Sequence, residues 1–574
     1  MTPVSQDNTS PITFDIREIP FSYRGSWINL SPVTALHTRT DVIHLVSHRT
    51  GMHAVLALEP CGAVVQPAWC ADASSFRWAT PDGAYVAAAF DGPDVVRLHG
   101  HGLGLRLRDA SAGLTPFTGT YLFEDPVDAA LVFTSYETGR RYRVTRIMGA
   151  LEVTGAGALG VAERAVLAGA SGTEWEIAIE ETTAGSPPFV PAASFEQVVA
   201  AAQAQFACYL ERVAPWRDPR TPVAATAAYV LWSATVAPGG FLSRESILMS
   251  KHWMDKVWSW DHCFNALALA PGLPDEALDQ YLTPFDHQDG SGALPDSVTH
   301  SEVLYNYVKP PIHGWALRRL RAQAGRPLTP GELADVHDKL AAWSAYWLEH
   351  RRRPGHRLPH YQHGNDSGWD NATTFDHDRV IESPDLAAFL VLQLETLAEL
   401  ATELGRPAER WRQERDNLLQ ALLEELWRGE RFVAVGALSG RDSPATSLLN
   451  LLPLILGHRL PEEIRSAMVH QLQAHLTPFG PATEPRTSDQ YEPDGYWRGP
   501  IWAPSTALVE DGLRCSGHPD LADLVSHRFR ALCERAGFAE NFDALTGQGL
   551  RDRSYTWTAA VYLILAADFV RAKT

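Results

Sequence analysis

The stretch His363-Gly364-Asn365-Asp366-Ser367-Gly368-Trp369-Asp370-Asn371-Ala372 crowds carboxylates, carboxamides, glycines and an indole between two segments of helical periodicity. Such a loop suits the mouth of a pocket, where glycine lets the backbone turn and an aromatic face meets a ligand. An acid held beside an indole keeps its proton, because desolvation disfavours the carboxylate. Asp370 therefore reads as a general acid, with a helix N-cap as the alternative. Its partner is Glu540, in Glu540-Asn541-Phe542-Asp543-Ala544-Leu545-Thr546-Gly547. A helix N-terminus close by favours the ionised form of a base, and a solvated surface carboxylate is the alternative. A proton donor paired with a carboxylate that activates water is what cleavage of a glycosidic bond requires.

Candidates for holding a sugar collect in other loops. Trp258-Ser259-Trp260-Asp261 alternates indoles before a carboxylate able to accept two hydroxyls, and Gln288 lies in the loop 286–296. His363, Asp366, Gly368, Trp369 and Asn371 surround Asp370, while Tyr491, Trp497, Arg498 and Trp502 share the loop 491–502 and Trp557 opens the last helical run. For each Trp the alternative is core packing. For Arg498 it is an ion pair with a neighbouring acid, against anchoring an anionic aglycone such as glycerate. Five such loops gathered on one face would make a deep pocket, admitting only a terminal sugar and releasing one monosaccharide per turnover.

These loops need a scaffold. With 574 residues the chain exceeds what one core usually serves, and 45% hydrophobic with 20% charged residues is ordinary for a soluble protein. The 18 Trp fit sugar clefts, and a net charge of −19 argues against nucleic acid as partner. Cys61, Cys70, Cys208, Cys263, Cys515 and Cys533 show neither CxxC pairs nor metal-ligand spacing, so reduced core thiols and no metal are expected. The first residues carry no basic or apolar leader pattern and no apolar run spans a membrane, which points to a soluble, cytoplasmic protein. Oligomeric state is not readable.

Residues 1–185 alternate in short runs, among them Thr13–Ile16, Val42–Val46, Val96–His99, Tyr142–Thr145 and Trp175–Ile179, which suits an antiparallel β-sandwich. Residues 186–221 form a proline-stiffened linker, Gly185–Pro191, and a connecting amphipathic helix over Phe195–Arg212. In 222–574 the period becomes 3.6 and about twelve helices follow, with Pro330 and Pro384 at first helical positions behind Thr329 and Ser383. Leu448–Leu456 and Ala559–Ala566 are apolar nearly all round, so they must be buried on most faces. The expectation is an α+β multidomain protein, an N-terminal antiparallel β-sandwich followed by an (α/α)6 barrel of six inner and six outer helices.

Between Trp253 and Trp557 the sequence resembles the inverting α-glycosidases of glycoside hydrolase family 63 and its trehalase-like relatives. The resemblance is carried by Trp258-Ser259-Trp260-Asp261-His262-Cys263-Phe264, Ser367-Gly368-Trp369-Asp370-Asn371, Tyr496-Trp497-Arg498-Gly499-Pro500-Ile501-Trp502-Ala503-Pro504 and Glu540–Gly547. It implies an (α/α)6 barrel, inversion of configuration, no redox or nucleotide cofactor, Asp370 as general acid and Glu540 as general base. Departures occur at Asn365-Asp366, His262 and Ala544, and both carboxylates are kept. The substrate class expected is a small α-glucoside or α-mannoside: a glycosyl-glycerate, a disaccharide or an oligosaccharide end. Two other classes stay open. A carbohydrate phosphorylase on the same barrel would depend on phosphate, and a non-catalytic sugar-binding protein would bind without turnover.

Overall fold

The computed structural model of the chain describes residues 12–572, apart from 64–65, 112–117, 161 and 171. The first eleven residues, where no leader is expected, lie outside the described residues.

Alternating apolar residues build two antiparallel sheets in the N-terminal region. In the nine-stranded sheet, Tyr85–Phe90, Val95–His101, Trp175–Thr182 and Arg141–Met148 are consecutive neighbours. Ile177 opposes Leu98 and Ile179 opposes Val96, cross-strand apolar pairs of the kind that fix register. In the seven-stranded sheet, Thr38–Ser47 lies between Ile28–Ala35 and His53–Cys61. Leu45, Leu56 and Leu105 of this sheet share one apolar cluster with Val86, Leu98 and Ile177 of the other. The helix Phe195–Val213 follows, opened by Ser194 and Gln197 in a reciprocal capping box that satisfies two backbone N–H groups. It buries Val198, Ala202, Phe206 and Leu210.

The helical region closes on itself. Asp261–Leu269, His313–Gln323, Pro384–Glu403, Leu448–Arg459, Ala503–Cys515 and Thr556–Arg571 each pack on the next, and the last packs on the first. Ala224–Ala234, Pro274–Leu282, Pro330–His350, Glu409–Ala421, Glu462–Leu472 and Pro519–Ala536 lie against them as an outer layer. Inner helices approach closely. A Cβ on Gly314 would sit 2.2 Å from the Gln393 Cα, so only glycine fits that crossing.

Several sequence expectations shift in detail. The helical periodicity of the sequence extends from about residue 301 to 323, but the helix begins only at His313, because Pro310 and Pro311 keep the preceding chain extended. The apolar run near 448 is a 3-10 helix with Pro453 inside, broken where Gly457 takes φ 55°. Thr329 caps its helix with a full capping box, whereas the Ser383 hydroxyl turns to the Asp385 carboxylate instead of a backbone N–H. All six cysteines are free, yet only Cys263 and Cys533 are buried, so the core-thiol expectation fails for Cys61, Cys70, Cys208 and Cys515. Among the described residues, no helix is long and apolar enough to cross a membrane.

Candidate active site

Asp261 is the first residue of an inner helix and Lys309 precedes the next, while Asp370 follows a single helical turn, Gly364–Ser367. That turn is opened by His363, whose Nδ1 accepts from the Asn365 N–H at 3.1 Å. It is closed by Gly368 at φ 73°, and a Cβ there would lie 2.6 Å from the Trp260 indole. Both the left-handed backbone and the lack of space demand glycine.

Four charged groups far apart in sequence meet here. The Lys309 Nζ lies 2.9 Å from Asp296 Oδ1 and donates to the Asn365 carbonyl at 3.0 Å. Burial works against the Lys309 charge, but the carboxylates of Asp370, Asp296 and Asp261 outweigh it and raise its pKa. Burial pushes the Asp261 carboxyl up to about 8, with Lys309 opposing and Asp370 and Asp296 adding. Asp370 is raised for the same first reason, again against Lys309.

Glu540 joins this cluster from the other side. Its N–H donates to the Asp552 carbonyl at 2.7 Å, and the neighbouring Phe542 exchanges backbone hydrogen bonds with Ile501. Burial pushes its carboxyl up to about 8, Asp552 adding and Arg551 opposing. Tyr496 feels the charges of both Glu540 and Asp370, and Tyr555 those of both Glu540 and Asp261, so the three carboxylates share one electrostatic neighbourhood. Among the described residues, Asp261 Oδ2 and both Glu540 carboxylate oxygens are buried without a hydrogen bond of good geometry, although the Tyr496 hydroxyl is near enough to favour ionised Glu540. Buried polar atoms are rarely left so, and these three oxygens keep capacity to accept from hydroxyls or water.

Other candidates prove to be braces. Asp366 gives its oxygens to Arg351 at 2.7 Å and to the N–H groups of Gln362 and Val308, and so shapes the loop. Asn371 ties Gly495 and the Trp497 N–H, and Gln288 donates to the Gly292 and Lys339 carbonyls. Arg498 pairs with Asp376 and donates to the Asn371 carbonyl, so the ion-pair alternative describes its guanidinium. The indoles differ most from expectation. Trp260, Trp369, Trp497 and Trp502 are at most 2% exposed. Trp497 is stacked between Trp369 and Trp502, with ring centroids 4.6 and 3.9 Å away, and Trp557 meets Trp260 and Trp502 edge-on. Both faces of Trp497 are therefore taken up by other indoles, and the five rings form one aromatic cluster, as aromatic packing favours. Trp258, His363 and Tyr491 stay half-buried, with the His363 ring stacked on Tyr307 and the Tyr491 hydroxyl unpartnered among the described residues.

Sequence reasoning passed over Lys309, Asp296, Tyr496 and Asp552. A lysine in Val308-Lys309-Pro310-Pro311 was a usable signal, since a charge among residues without freedom to reach solvent needs a partner. Among the described residues no group of three or more His, Cys, Asp and Glu is placed to hold a metal ion.

Fold and site together define an (α/α)6-barrel glycosidase. The chain belongs to the mannosylglycerate hydrolase MGH1-like glycoside hydrolase domain family, whose model matches residues 254–558. It is 26% identical to a mannosylglycerate hydrolase from Rubrobacter radiotolerans over 402 residues, 53% of this chain and 89% of that relative. The fold is shared with a GH63 mannosylglycerate hydrolase from Thermus thermophilus, solved with Tris and D-glycerate. That match has TM-score 0.53 at 22% identity and covers 60% of this chain and 100% of the other. A bacterial glucoamylase complexed with acarbose matches along 100% of this chain and 97% of its own, with TM-score 0.63 and 11% identity.

Proposed function

We propose that this glycosidase removes a terminal glucose or mannose from a small α-glycoside, a glycosyl-glycerate first among them, by an inverting mechanism with Asp370 as acid and Glu540 as base. The observation that carries the reading is the set of unpartnered oxygens on buried Asp261 and Glu540 beside raised Asp370. Asp261 receives hydroxyls of the terminal sugar. Asp370, holding its proton against desolvation, passes it to the glycosidic oxygen as the bond to the anomeric carbon breaks. Glu540 takes a proton from the water that attacks that carbon from the opposite face, which yields the inverted sugar and a free alcohol. Water entering beside Glu540 supplies the hydrogen bonds its carboxylate lacks, and Arg551 favours the ionised form. The glycerate aglycone follows from what the Rubrobacter relative is named for and what the Thermus structure was solved with.

On the same footing we read the two sheets as the layers of a β-sandwich over residues 1–185, joined through 186–221 to a catalytic unit at 222–574. The apolar cluster common to both sheets supports the first division, and the capping box at Ser194 the second.

The test is a panel of α-mannosyl- and α-glucosyl-glycerate, α-linked disaccharides and a long α-glucan, with the first-formed anomer followed by NMR. Release of inverted monosaccharide from the glycosyl-glycerates is expected. A retained anomer would overturn inversion, mid-length fragments from the glucan would overturn exo action, and phosphate-dependent turnover would make it a phosphorylase.

A further inference from the structure

Glu540 stands on a buried polar scaffold that reaches beyond the barrel. Asp552, whose carbonyl holds the Glu540 N–H, is itself fully buried. Its carboxylate accepts from the Ser250 hydroxyl at 2.5 Å and the Ser554 N–H at 3.0 Å, and lies 3.0 Å from His252 Nδ1. The segment bearing Ser250 and His252 is gripped on its far side by the N-terminal region. Lys251 is buried and donates to the Ser22 hydroxyl at 3.0 Å and the Ser26 carbonyl at 2.6 Å, and its own carbonyl accepts from Asn29 Nδ2 at 2.5 Å. His48 Nδ1 meets Asp255 Oδ2 at 3.1 Å, and Arg553, next to Asp552, pairs with Glu18 at 2.5 Å. Buried polar groups this well connected rigidify whatever they hold. The family model, spanning 254–558, includes Asp552 and leaves out His252 and everything before it.

We propose that Asp552 and His252 are positioning residues for Glu540, and that the N-terminal region holds the pair in place through Lys251. The proposal rests on Glu540 being the base. Asp552 acts twice. Its carbonyl sets the backbone of Glu540, and its side chain places a negative charge beside the Glu540 carboxyl, which is also faced by Arg551, Tyr496 and Tyr555. His252 and Ser250 fix where that charge sits. The β region thereby does more than shield the barrel: it completes the support of a residue in the active site.

The experiment uses the full chain carrying Asp552→Asn, His252→Ala, His252→Asn or Lys251→Met, with Glu540→Gln as control, on the α-glycoside cleaved best. A misplaced reacting group costs on the order of 10²-fold, so kcat in Asp552→Asn should fall by about that factor with KM nearly unchanged. The pH limb of kcat/KM set by Glu540 should move to lower pH, because a neighbouring negative charge is gone, a change a purely structural role would not produce. His252→Asn keeps a polar atom where Nδ1 sits and should recover most of the kcat lost in His252→Ala, and Lys251→Met should lower kcat in the same way. Unchanged kcat and pH limb in folded Asp552→Asn would overturn the proposal. Should that variant not fold, His252→Ala with wild-type kcat and a lowered Tm would overturn it instead. Activity surviving in Glu540→Gln would remove the base assignment itself, and the proposal with it.

Discussion

The Arg551 guanidinium lies 4.9 Å from the centroid of the Tyr496 ring, and both residues hold left-handed backbones, at φ 60° and 64°. Among the described residues only His37 and Ala129 share that conformation without being glycine. A left-handed backbone costs a non-glycine residue roughly 1–2 kcal/mol, and two such residues here bracket Glu540. The surrounding bonds, Arg551 to Asp494 at 2.5 Å among them, keep the pair in place.

Tyr496→Phe keeps the ring under Arg551 and removes the hydroxyl that favours ionised Glu540. The expected outcome is a fall in kcat of about 10-fold, with near-wild-type Tm. The Glu540 limb of the pH profile moves up, opposite to the shift expected for Asp552→Asn. A limb that stays in place would show that the phenol does not act on Glu540.

Asp370→Asn and Glu540→Gln each remove a proton-transfer group and should each lower kcat by about 10²–10⁴-fold with the circular-dichroism spectrum unchanged. The Asp370 variant suffers most with the poorest leaving group, since that alcohol needs its proton most. Turnover close to wild type in either variant would refute its assignment.

Stability should fall with rising pH because of the buried acids. A carboxyl whose folded pKa lies above its unfolded one binds its proton more tightly in the folded chain. Its stabilisation is complete below the unfolded value and lost as pH passes the folded one. For Glu540 that window runs from 4.5 to about 8, and for Asp261 from 3.8 to about 8. Glu540→Gln should therefore melt above the wild type at pH 8, with the gap closing near pH 5. Equal melting temperatures at pH 8 would contradict the raised pKa.

Gly368→Ala should damage both stability and activity. The backbone at φ 73° disfavours any Cβ, and the added methyl would lie 2.6 Å from the Trp260 indole. Strain and overpacking together cost about 2–5 kcal/mol. Asp370, two residues on, would be displaced, and kcat should drop more than the residual folded fraction explains. A variant with wild-type Tm and kcat would show that the turn can move freely.

How much of this was legible in the sequence depends on the range of the interaction. Periodicity of 3.6 residues located most helices of the double ring, and alternation located the strands through Val96–His99 and Trp175–Ile179, because these patterns come from burying one face of a local element. The glycine turn before Asp370 and the N-cap at Thr329 were local as well. The start at His313 and the 3-10 run through Pro453 were misjudged where proline overrode an apolar pattern.

The chain by itself determined which residue types stand in which loops, since helix ends, turns and apolar faces are set by neighbours a few positions away. Only the tertiary structure decided what those residues do to one another. Arg498 found Asp376 across 122 positions, Lys309 gathered Asp261, Asp296 and Asp370 from three segments, and Trp369, Trp497 and Trp502 stacked on one another. An indole is equally apolar against a sugar and against another indole, and a cation pairs with whichever carboxylate the fold brings near. Neither choice is written in local spacing, because both are settled by distances that exist only once the barrel has closed.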